Sequence, residues 1–267
     1  MRVHTYPVAA NSVYVWRGFK STKQNYTYQA FEQFLATVFV PACALLQPRI
    51  GLRAYLPSMV PQANKPPEVP DQTALMFWAT PLAHDDAKKA LAERIYTNLH
   101  GDVYDMDRSK LQEVPKSIDS AGGTLEAEQP YYLCDRPTDW MLGGVHHLVG
   151  GRRPDLEAND FLTRTATWAR AFRERPPTGV DGALVCCGND YAVAWVHGSR
   201  NGRRLRSALD GLAELTMTVL RDDARRLQVG AELWDDWPGL IDLTKHACIN
   251  IQLHRARNAK PQKRRAQ

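Results

Sequence analysis

Apolar positions along the chain change their period repeatedly, and each change marks an element. Residues Val13 to Phe19 (Val-Tyr-Val-Trp-Arg-Gly-Phe) are rich in β-formers and predict a strand, closed by a polar turn through Lys20 to Tyr26. Beyond Thr27, a suitable N-cap, Phe31, Phe34, Leu35, Val38 and Phe39 recur at three- and four-residue spacing, which predicts an amphipathic helix bent or interrupted by Pro41. Ile50 to Leu56 predicts the next strand, and five prolines make Pro57 to Pro70 a long loop. Thr73 to Ala79 is an almost unbroken apolar run, as expected of a central strand buried on both faces. In Pro81 to Leu99, Ala87, Leu91, Ile95 and Leu99 alternate with acids and lysines, which predicts a helix. Leu111 to Ile118 is expected as an edge strand, because Pro115 is awkward inside a sheet.

The same order can be read a second time. Trp140 to Val149 predicts a strand, and Leu156 to Arg173 a helix with Phe161, Leu162, Thr165, Trp168, Ala169 and Phe172 toward the core. Ala183 to Cys187 and Tyr191 to His197 flank the hairpin-type turn Gly188-Asn189-Asp190. Leu205 to Leu227 is expected as a long helix, Glu232 to Leu243 as an extended piece broken by Pro238, and Ala247 to Leu253 as a terminal strand. The implied division is a first unit over 1–118, a linker over 119–138, a second unit over 139–254 and a basic tail over 255–267.

Strand, helix, two strands, helix and strand, read twice over residues 12 to 243, resembles a tandem pair of ferredoxin-like units. The likeness is to the dimeric α+β barrel group, which includes antibiotic-biosynthesis and haem-degrading monooxygenases, muconolactone isomerases and chlorite dismutase-like haem proteins. The resemblance rests on element order and transfers no catalytic residue. It implies an α+β fold of two ferredoxin-like units packed together as an intramolecular barrel, with a pocket where the halves meet. The activity it implies is oxidation or isomerisation of a small molecule, haem being one cofactor to consider.

Composition narrows this picture. With 267 residues and 44% apolar content the chain can bury a substantial core. It has no apolar run of membrane-spanning length, and its start lacks the apolar core of a secretion signal. The five cysteines are scattered and include the vicinal pair Cys186-Cys187, which favours a reducing, cytoplasmic setting. The net charge is +5, yet Arg255 to Gln267 alone carries six basic residues and no acid, so the body is near neutral.

Several residues can carry chemistry. His146 and His147 are adjacent on a predicted strand and must face opposite ways, so one of them can serve a pocket as base or ligand. Tyr104, in the stretch His100 to Arg108, is a candidate proton donor, and Trp140 and Trp195 are candidate walls for an aromatic or hydrophobic ligand. Arg152 and Arg153, in Gly150-Gly151-Arg152-Arg153-Pro154 before a helix, can hold an anionic group. No histidine, cysteine or acid set has a recognised metal spacing. The leading expectation is a small-molecule-binding enzyme, oxidoreductase or isomerase. The alternatives are a nucleic-acid-associated protein using Arg255 to Arg265 and the cluster Arg200, Arg203, Arg204 and Arg206, or an oligomeric structural subunit gripping a neighbour through the proline loop.

Overall fold

A computed structural model of the chain describes residues 6–7, 13–22, 27–40, 43, 51–87, 89, 98–113, 116–138, 140, 144–198 and 207–223. The expected segments at Glu232 to Leu243 and Ala247 to Leu253, the arginine cluster at 200–206 and the basic tail lie outside the described residues.

The architecture is α+β, built on two sheets. Strand β1 (Val13–Gly18) leads to helix α1 (Tyr28–Phe34), which runs on as a π-turn over Leu35–Phe39. Thr27 caps α1, its Oγ1 accepting from Ala30 N at 3.1 Å, and Phe31, Leu35 and Phe39 are the buried positions of this segment. Strands β2 (Leu52–Met59) and β3 (Gln72–Trp78), helix α2 (Pro81–Ala87), a helical turn at 98–103 and strand β4 (Lys110–Glu113) follow. The first sheet is antiparallel in the order β2-β3-β1-β4.

The second sheet comprises β5 (Pro130–Asp135), β6 (Gly144–Arg152), β7 (Val180–Cys187), β8 (Tyr191–Gly198) and β9 (Thr216–Asp223). Helix α3 (Ala158–Glu174) connects β6 to β7, and the short helix α4 (Asp210–Ala213) precedes β9. The sheet runs β9-β6-β8-β7-β5, with Lys116–Ser117 parallel to β5 at its edge. In both sheets the first and third strands of a β-α-β-β-α-β unit are central and the second and fourth flank them. These are two ferredoxin-like units, the second widened by β5.

Both sheets bury both faces. On β1 and β3, Tyr14, Trp16, Ala74 and Trp78 face the helices, while Val13, Val15, Leu75 and Phe77 face the other sheet. On β6 and β8, Val145, Val149, Val193 and Trp195 meet that inner layer, and Leu148, Ala194 and Val196 turn to α3. The order is therefore helices, sheet, sheet, helices, with one apolar core between each pair of layers.

Three expectations change. Leu205 to Leu227 is not one helix: only the short turns up to Ala213 are helical, and Thr216–Asp223 is β9, paired with β6. Its leucines fit a helical period, but alternating β-branched Thr216, Thr218 and Val219 also fit a strand, and the open edge of β6 decides between them. Pro57 and Ser58 belong to β2 rather than to the loop; β2 is an edge strand, where a missing N–H is tolerated. Residues 119–138, expected as linker, contain β5.

Gly182 on β7 allows Trp140 to lie flat on the strand, since a Cβ there would stand 2.7 Å from Trp140 Cζ2. Gly182→Ala is expected to destabilise the protein by about 1–3 kcal/mol through overpacking, measured as a lowered urea midpoint at unchanged slope.

Candidate functional site

Polar side chains collect in two places, one between the sheets and one between the first sheet and its helices.

The seam between the sheets holds Arg17, which is fully buried. Its Nη2 and Nε each lie 3.0 Å from Glu128 Oε2, and its Nη1 is 3.1 Å from Cys186 Sγ. The Tyr191 hydroxyl donates to the same Glu128 oxygen at 2.8 Å. Glu128 has a left-handed backbone, φ 67°, fixed by its N–H donating to Cys187 O at 2.6 Å. Beside Arg17 in the sheet register stands Thr73, whose Oγ1 lies 3.1 Å from His147 Nε2. His147 is wholly buried and stacked on Trp195 with ring centroids 5.1 Å apart. Burial pushes its pKa down to about 3, so it is a neutral imidazole, and its Nδ1 has no hydrogen-bond partner. Burial also pushes the Cys186 thiol up to about 12, which makes it unreactive. Further along, Trp140 packs against His197, which is hydrogen-bonded to Asp181.

The second place is a packed aromatic cluster on the helix side of the first sheet. Gln72 Oε1 accepts from Trp16 Nε1 and from the Tyr104 hydroxyl, both at 2.8 Å. An indole N–H can only donate, so the oxygen must face Trp16, and this fixes the amide orientation. The buried Tyr55 hydroxyl is near the same amide, which lowers its pKa against the larger rise from burial, while Gln72 Nε2 makes no hydrogen bond of normal geometry. Phe31, Phe39 and His100 pack edge-on or tilted around Tyr104, with centroids 5.7, 5.5 and 5.9 Å away. Burial holds the Tyr104 hydroxyl well above its usual pKa, so it serves as a neutral donor. His100 is only half-buried. Gly18 makes the approach possible: a Cβ would stand 2.5 Å from Tyr104 Cε1 and 2.7 Å from Trp16 Nε1. Gly101 lies inside the turn at 98–103, and the Tyr104 N–H bonds back to His100 O.

The structure thus brings His147, Trp195 and Trp140 into the seam and separates Tyr104 from them, on the other face of the first sheet. His146 faces away from His147, toward the α3 layer, and is equally buried. Arg152 and Arg153 are engaged in structural contacts: Arg152 with Asp190 at 2.7 Å and with backbone carbonyls, Arg153 with Asp155 at 2.6 Å and Glu214 O. Haem does not fit the seam or the α3 layer. Both imidazoles sit in packed layers, and a porphyrin could reach neither without parting a sheet from its neighbour. Sequence reasoning misses Gln72 and Glu128, which belong to no motif; Arg17 shows one signal, a charge in the middle of a β-rich run.

The sequence matches no protein-family profile, and no curated protein is similar to it. Three solved structures align with most of the chain. A candidate monooxygenase from Lactobacillus acidophilus NCFM is 9% identical, with 84% of this chain and 99% of that chain covered and a TM-score of 0.33. A candidate monooxygenase from Fusobacterium nucleatum is 8% identical, with 84% and 96% covered and a TM-score of 0.34. An anthrone oxidase-like protein is 10% identical, with 85% and 98% covered and a TM-score of 0.36. Likeness at this level says nothing about chemistry. No described helix is long and apolar enough to cross a membrane.

Two outcomes follow for the seam. His147 must gain a proton to unfold below its free pKa of about 6.5, so its contribution to stability is complete above that pH and is lost as pH falls toward about 3. Between these limits the group adds a slope of about 1.4 kcal/mol per pH unit, and His147→Gln should remove it from urea midpoints measured at pH 7, 5.5 and 4. Glu128→Ala is expected to cost about 2–3 kcal/mol, less than the ~3–5 of a fully buried pair, because its side chain is 39% exposed. Glu128→Gly should be milder by about 1 kcal/mol, because glycine accepts the left-handed backbone.

Proposed function

We propose that this chain binds a small aromatic molecule bearing an oxygen substituent among the aromatic rings around Gln72 and acts on it as an oxidoreductase. One observation carries the reading: the Gln72 amide, 1% exposed, has its oxygen doubly bonded and its Nε2 unpartnered. A buried donor left unmet costs about 1–3 kcal/mol, and a ligand oxygen that accepts from it recovers that cost. The surrounding rings of Phe31, Phe39, Tyr55 and Tyr104 suit a flat apolar body.

In this reading Gln72 orients the substrate oxygen, and Tyr104 holds the amide in place through its neutral hydroxyl. His100, half-buried and in ring contact with Trp16 and Phe39, exchanges the proton between substrate and solvent. Loss of a proton from an activated hydroxyl or carbon begins both oxidation and isomerisation, and dioxygen consumption separates them. We assign His147, Trp140 and Trp195 to the seam that holds the two sheets in register. Tyr104 alone of the sequence candidates then belongs to the ligand site, and the pocket lies within the first half.

Titration with 1-naphthol, followed by quenching of tryptophan fluorescence, tests the binding. Saturable binding is expected, weakened about 5- to 150-fold in Gln72→Leu, the equivalent of the ~1–3 kcal/mol above. Equal affinity in Gln72→Leu, with the fold verified by circular dichroism, would place the ligand elsewhere. An oxygen electrode with the same probe then reports oxidation.

A further inference from the structure

Away from Gln72 and the seam, three side chains of metal-ligating type converge, two adjacent in sequence and one remote. Tyr14 on β1 is paired in register with Glu113 on β4, which puts both side chains on the helix side of the first sheet. Helix α2 begins after Thr80, whose Oγ1 accepts from Ala83 N at 3.0 Å, and its first turn carries His84 across the same ground. The His84 ring is held in an aromatic slot, 4.0 Å from Tyr14 and 5.2 Å from Trp78 between centroids, and is buried. Its Nδ1 is 3.7 Å from Asp85 Oδ1, and the ligand atoms of His84, Asp85 and Glu113 all lie within 4.8 Å of one another.

We propose that His84, Asp85 and Glu113 form a binding site for a divalent first-row metal ion, with zinc as the representative cation. One imidazole and two carboxylates are a ligand set that zinc accepts, with water or substrate in the fourth position. Ions such as magnesium and calcium prefer oxygen ligands throughout. Zinc lies about 2.0–2.2 Å from nitrogen and oxygen ligands, so in a tetrahedral site two ligand atoms stand about 3.4 Å apart. The ligand atoms here must draw together by about an ångström to reach that spacing, and the exposed Asp85 and Glu113 side chains are the ones placed to do so. The imidazole, the costliest ligand to position, is already fixed by Tyr14 and Trp78.

The ion would tie α2 to the edge strand β4. These two elements are joined by a long connection. Such a tie closes the first unit on its own helix side.

Full-length protein stripped with a chelator and titrated with zinc chloride by calorimetry tests the site. One equivalent is expected to bind and to raise the melting temperature. Asp85→Asn and Glu113→Gln should each weaken that binding at least tenfold while leaving the metal-free melting temperature unchanged. Cobalt substitution gives a second readout: nitrogen and oxygen ligands produce weak d–d bands without the strong thiolate charge transfer that a cysteine site would show. Zinc binding that both substitutions leave intact, a cobalt–thiolate spectrum, or no retained zinc would each overturn the assignment.

Discussion

The face-to-face contact of the two sheets is the constraint on which the rest of the structure depends. Once β1, β3, β6 and β8 are central and covered on both sides, each of their residues must be apolar or find a partner inside the protein. Arg17 is the extreme case. A guanidinium at 0% exposure persists because Glu128 and Cys186 from the second half meet it, so the charge is also a register pin between halves. A slip of either sheet by one residue would leave that charge buried without a partner, a cost far above that of an imperfect apolar contact.

The same constraint sorts the chemistry. Between the sheets, Thr73 is answered by His147 and Arg17 by Glu128 across the interface, while Tyr191 steadies the same Glu128 from within the second half. His147 Nδ1 and the indole nitrogens of Trp140 and Trp195 find no partner there among the described residues, and the neutral state of His147 is a product of burial. Between the first sheet and its helices the satisfaction is incomplete, because Trp16 and Tyr104 both spend their hydrogens on one oxygen of Gln72 and leave its nitrogen. That nitrogen is the group the proposed ligand would engage.

The unequal halves follow from their helices. In the second half α3 is long and uninterrupted, and it seals its face of the sheet with Phe161, Ala166, Ala169 and Phe172. In the first half the described covering elements include α1 with its π-turn, α2 and the turn at 98–103, and aromatic rings contribute much of the layer. Rings with polar edges leave room for chemistry that alanines do not.

Local pattern determined much of this protein. The all-apolar run at Thr73 to Ala79 announced a central strand, Thr27 a cap, and Gly188-Asn189-Asp190 a hairpin, since each depends on neighbours within a few residues. The alternation that sends His146 and His147 to opposite faces is likewise a property of any strand. What the chain could not reveal locally is which of two compatible periods wins, as at Thr216 to Asp223, where the free edge of β6 selects a strand. Nor could it show that Gln72, Trp16 and Tyr104 share one point, or that His84 meets Glu113. Those meetings are set by strand register and sheet order, which arise from contacts between residues far apart in sequence, and only the tertiary structure decides them.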